Sequence, residues 1–146
     1  MDRRSTRLKD FDYSRAGVYF VTVCARNRRC LFGNVVHNEM ALNKIGVMVH
    51  ESWNELPDRF PDIELDEFIV MPNHIHGIVH IVGAQFIAPR YSQGAMNRAP
   101  TLGEIIRTFK AVSTYRIRRY SKPFLTRNLF LELQIPEISL KWSYVF

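Results

Sequence analysis

Apolar residues recur along the chain with two different periods. GVYFVTVCA (17–25) is a β-branched and aromatic run that predicts a buried strand, and the basic loop RNRRC (26–30) follows it. NVVHNEMAL (34–42) predicts a short hairpin around Asn38. From Ile45 the spacing changes to that of a helix, through Met48, Val49, Ser52, Trp53 and Leu56. Asn43 stands before this helix as a cap, and Pro57 and Pro61 are expected to stop it. IELDEFIVM (63–71) and HIHGIVHIV (74–82) predict two more strands. Only Pro72 and Asn73 lie between them, so a hairpin is expected. Residues 83–100 read as a loop. Thr101 and Glu104 then form a T-x-x-E capping box. It opens an amphipathic helix marked by Leu102, Ile105, Ile106, Phe109 and Val112 and expected to reach about residue 119. The order strand, helix, strand, strand, helix predicts an α+β fold, a ferredoxin-like (RRM-like) antiparallel sheet with helices packed on one face.

Composition narrows the class. A chain of 146 residues with 47% hydrophobic and 12% aromatic residues is expected to form one domain with a real core. Its net charge of +6 points to a polyanionic partner. Arg107, Lys110, Arg116, Arg118 and Arg119 concentrate that charge on the last helix. Cys24 and Cys30 lack CxxC spacing, which argues against a disulfide framework or a zinc site and suits a reducing cytoplasm. The charged N-terminus has no apolar segment of the signal-peptide kind, and no apolar run approaches the ~18 residues of a membrane span.

The candidate chemistry lies in MPNHIHGIVHIV (71–82). Alternate side chains of a strand share a face and stand roughly 6.6 Å apart, so His74 and His76 can converge on one ion. His80 shares their parity but lies roughly 13 Å from His76, too far for the same ion. If Pro72 and Asn73 make the turn, Met71 pairs with His74 and Ile69 with His76, and Glu67 falls on the same face one pair further on. Glu67 is then a candidate third ligand or an orienting carboxylate. Without a metal, the two histidines are ordinary polar residues of a half-exposed strand.

ELDEFIVMPNHIHGIVHIVGAQ, the leading YFVTVCARNRRCLFG and the helix TLGEIIRTFKAVSTYRIRR together resemble the HUH-type single-tyrosine transposases, in particular the REP-associated, insertion-sequence-200-like group. The resemblance covers residues 5 to 120. It implies a ferredoxin-like sheet whose central strand carries the two histidines. They would hold a divalent cation, Mg2+ or Mn2+, that polarises a phosphate of single-stranded DNA. A tyrosine from a later helix would attack and remain joined to the 5′ phosphate. The implied partner is single-stranded DNA containing a hairpin, bound by the protein as a monomer or homodimer.

Beyond the basic helix the family continues with a W-Q-R-N-Y-Y-E-H-like segment and a tyrosine-bearing helix. Here TRNLFLELQIPEISLKWSYVF matches only at Arg127 and Asn128. Tyr115 and Tyr120 come too early, and Tyr144 is the late candidate for the nucleophile. Residues 121–146 therefore read as a divergent or truncated part of a single transposase-type domain, and inefficient cleavage is expected. The expected function is metal-dependent cleavage and strand transfer of single-stranded DNA. The alternative is a single-stranded nucleic-acid-binding module without catalysis.

Overall fold

Residues 15–82, 100–125 and 141–144 are described by a computed structural model. The β-branched run forms strand β1, Gly17–Cys24. Strands β2, Gly33–Val36, and β3, Glu39–Leu42, make the small hairpin expected around Asn38. His37 and Asn38 both take positive φ (51° and 64°), as a tight two-residue turn requires. Helix α1, Lys44–Asn54, begins where Asn43 caps it, the Asn43 carboxamide oxygen accepting from the Gly46 N–H at 2.9 Å.

Pro57 does not stop this helix. Helix α1 ends at Asn54, and Pro57 lies in the first turn of a short helix α2, Leu56–Arg59, where its missing N–H costs nothing. Strands β4, Ile63–Val70, and β5, His74–Ile81, form the expected hairpin. Helix α3 runs over Leu102–Leu125, beyond the expected end near 119. Its buried face continues through Ile117 to Ser121, whose hydroxyl donates to the Ile117 carbonyl at 2.7 Å. The capping box is reciprocal. The Thr101 N–H donates to Glu104 Oε2 at 2.7 Å, and the Glu104 N–H donates to Thr101 Oγ1 at 3.2 Å.

The divergent C-terminal part supplies strand β6, Lys141–Tyr144, paired antiparallel with β1. The main sheet has the order β4-β5-β1-β6 with every pair antiparallel. Setting aside the β2–β3 hairpin, this is the ferredoxin-like order, an α+β sheet with its helices on one face. Residues 83–99, part of the expected loop, lie outside the described residues. No described helix is long and apolar enough to cross a membrane.

Burial along β5 alternates strictly. Ile75, Gly77, Val79 and Ile81 are buried, while His74, His76, Ile78 and His80 are partly exposed. The buried row joins Val21 and Val23 of β1, Trp53 of α1 and Ile105, Ile106, Phe109 and Ile117 of α3 in one core. Trp53 is its centre, stacked on Phe68 (centroids 4.7 Å apart, 10° between planes) and met edge-on by Phe109 at 5.3 Å. Trp53 fits because position 77 has no side chain. A Cβ there would overlap Cζ2 of Trp53 and stand 2.7 Å from Cη2.

Gly77→Ala should therefore cost about 1–3 kcal/mol of stability as the core is forced apart. Gly103→Ala is the control. Its Cβ would meet only Thr101 Oγ1, at 3.7 Å, and it should be neutral or slightly stabilising. Urea unfolding of the two variants checks this, and equal stabilities would refute the packing argument.

Candidate metal centre

The hairpin turn positions the histidines. Met71 donates its N–H to the His74 carbonyl at 2.8 Å, so Pro72 and Asn73 form a two-residue loop. Ile69 then pairs with His76, the register expected from the sequence. The helices cover the Ile75 face of the sheet, which leaves His74 and His76 on the opposite face, one that no described helix covers. Their ring centroids are 4.7 Å apart with the planes at 79°. Phe20 of β1 stacks on His76 at 5.2 Å.

Each ring is tethered at one nitrogen. Nδ1 of His74 lies 2.6 Å from Oδ1 of Asn73, and Nδ1 of His76 lies 2.8 Å from Oγ1 of Thr22. In both cases these contacts leave the other ring nitrogen, Nε2. This is the arrangement that fixes a metal-binding imidazole, with the far nitrogen held by a polar partner. Burial, and after it the neighbouring His74, push the His76 pKa below its ordinary value of 6.5. This favours the neutral imidazole, the form that binds a metal.

The structure also ties the loop after β1 to the turn, a link not expected from the sequence. The basic loop after β1, with its 3-10 turn at Arg26–Arg28, is fastened to the hairpin turn. Ala25 donates its N–H to the Asn73 carbonyl at 2.8 Å, and Phe32 donates to the Pro72 carbonyl at 3.0 Å. Asn73 Nδ2 donates to the Arg28 carbonyl at 3.2 Å. The exposed Arg28 is thus linked to His74 through a single side chain. The dipeptide PN directly before HIH was the available signal.

Other expected residues fall elsewhere. A bulge between Leu65 and Phe68 breaks the β4 register before Glu67. Glu67 borders the shallow depression that contains His76, Phe20 and Ile69. Among the described residues no three His, Cys, Asp or Glu side chains cluster as a metal site. His80 is held apart, its Nε2 3.4 Å from Asp66 Oδ2 without hydrogen-bond geometry. Tyr144 stands opposite Val21, and it is position 143 that lies opposite Thr22 in the row of His76.

Arg107, Arg118 and Arg119 are exposed on α3, and Lys110 is partly exposed there. Helix α3 covers the Ile75 face, so the sheet separates this basic row from the histidines. Arg116 makes a two-pronged ion pair with Glu55 at 2.6 and 2.7 Å, tying α3 to the end of α1. Arg127 and Asn128 lie outside the described residues.

A Haemophilus influenzae protein designated only "uncharacterized" is 39% identical to this chain over 131 residues. The match spans 84% of this chain and 72% of the relative. The two chains belong to one family. No family model matches the chain. Among solved structures, a REP-associated tyrosine transposase bound to a REP hairpin is similar at 16% identity and a TM-score of 0.49. The likeness covers 96% of this chain and 62% of the neighbour, so the chain spans less than two thirds of that protein.

The lowered His76 pKa has a thermodynamic consequence. As pH falls below 6.5 the unfolded chain takes up the proton before the folded one does, and the folded state loses ground. Stability should be full above that value and decline as pH falls from it toward the lower folded pKa. His76→Gln should show a shallower decline in urea midpoints between pH 8 and 5. Parallel profiles for the parent and the variant would contradict the assignment.

Proposed function

We propose that this chain binds single-stranded DNA and holds a divalent cation between His74 and His76 at a DNA phosphate, as the metal-dependent domain of a transposase of the HUH single-tyrosine type. The observation that carries this reading is the pair of imidazoles on the sheet face that no described helix covers, 4.7 Å apart, each tethered at Nδ1. Two neutral nitrogen donors fit a divalent ion and leave most of its coordination positions to water and phosphate oxygens. Bound there, the ion would neutralise charge on the phosphate.

The chain's own residues supply the rest. Thr22 and Asn73 hold the rings, and Phe20 backs His76. Arg28 lies on the loop whose backbone is fastened to Asn73, and its exposed side chain is the candidate cation for a neighbouring phosphate. The row of Arg107, Lys110, Arg118 and Arg119 on α3 is a separate backbone-binding surface behind the sheet. A strand that touches both must pass around a sheet edge. Covalent strand transfer also needs an in-line oxygen nucleophile. Tyr144, the late candidate from the sequence, pairs with Val21 of the core row and not with Thr22 of the His76 row, so the register gives it no place as that nucleophile.

Titration of a hairpin-bearing single-stranded oligonucleotide, with and without manganese, tests this reading. Manganese should tighten binding to the parent and to His80→Ala, and should have no effect on His74→Ala or His76→Ala. Arg28→Ala should flatten the dependence of log affinity on log salt by about 0.7, the equivalent of one phosphate. Manganese-independent binding by the parent would remove the metal from the proposal, and salt-independent affinity would remove the DNA backbone.

A further inference from the structure

We infer that Asn73 is a positioning residue that sets the tautomer of His74, and that it takes its own orientation from the Arg28 carbonyl. Hydrogen-bond polarity carries the inference along a chain of three groups. The Arg28 carbonyl oxygen only accepts, so the Asn73 atom 3.2 Å from it must be the NH2 group. The other end of the carboxamide, the 2.6 Å partner of His74 Nδ1, is therefore its oxygen. That oxygen also only accepts, so the shared proton belongs to His74 Nδ1. A neutral imidazole carries one N–H, and Nε2 is left with its lone pair. A flip of the amide would set oxygen against the carbonyl at one end and at the other hold His74 in the opposite tautomer.

The first group in the chain is itself held. The Arg28 N–H donates to the Ala25 carbonyl at 3.0 Å, and the turn carbonyls of Asn73 and Pro72 grip the loop at Ala25 and Phe32. Asn27 and Arg28 both adopt left-handed backbone, at φ 56° and 53°. For residues with a Cβ this conformation is costly and persists only where the surroundings impose it. Here it directs the Arg28 carbonyl at the Asn73 amide. His76 has no such relay, because the Thr22 hydroxyl both donates and accepts and leaves its tautomer open.

The role of Asn73 in metal binding rests on the function proposed above, whereas the tautomer does not. The test is a long-range 1H–15N correlation spectrum of the imidazoles in the full chain, without metal and near pH 8. The parent should show His74 as the Nδ1–H tautomer. Asn73→Ala should release it toward the Nε2–H form. Asn73→Asp loses the donor to the Arg28 carbonyl but still offers His74 only acceptor oxygens, so it should retain Nδ1–H, a rescue that a merely structural role would not give. Calorimetry with manganese should show affinity falling about 10-fold in Asn73→Ala and kept in Asn73→Asp. A parent His74 protonated at Nε2 would overturn the inference, as would an unchanged tautomer in Asn73→Ala. A correct tautomer in a chain that binds no manganese would sink the metal function and leave the relay intact.

Discussion

The two-residue turn at Pro72 and Asn73 is the constraint on which the rest of the site depends. It fixes the β4–β5 register, and in a pleated strand register decides which face each side chain takes. A slip of one residue would send His74 and His76 into the core and bring Ile75 and Gly77 to the surface. The same two residues accept hydrogen bonds from Ala25 and Phe32, so the turn also anchors the loop that carries Arg28. Strand register, imidazole placement and loop position thus follow from one short segment.

The two faces of β5 carry opposite demands. On the core side, Gly77 makes room for Trp53, and Trp53 in turn organises Phe68 and Phe109. On the other side, one residue before that glycine, His76 meets Thr22 and Phe20. The packing that makes the strand rigid therefore lies directly behind the imidazoles. A ligand pair that must hold its geometry gains from such a rigid support.

Much of this was legible in the sequence because it depends on local periodicity. The alternation of HIHGIVHI gave the strand and the shared face of the histidines. The Asn43 cap and the Thr101–Glu104 box marked two helix starts. Long-range relations were less visible. The bulge that displaces Glu67 leaves no clear local signal in IELDEFIV, and the pairing of KWSY with β1 spans more than a hundred residues. Pro57 reads as a helix stop and acts as a helix start, since proline suits either boundary. The clustering of cations on α3 was plain, but which sheet face that helix would cover was not. The pairing of Arg116 with Glu55 likewise joins two helices far apart in sequence and is not visible in charge alone.

The central claim is that both histidines bind one ion through nitrogen. Electron spin-echo modulation of manganese bound to the full chain tests this directly, since it detects imidazole nitrogens coupled to the metal. Two coupled nitrogens are expected in the parent and one in either His74→Ala or His76→Ala, should manganese be retained there at high concentration. Bound manganese without nitrogen coupling in the parent, or an unchanged spectrum in the variant lacking both histidines, would contradict the account.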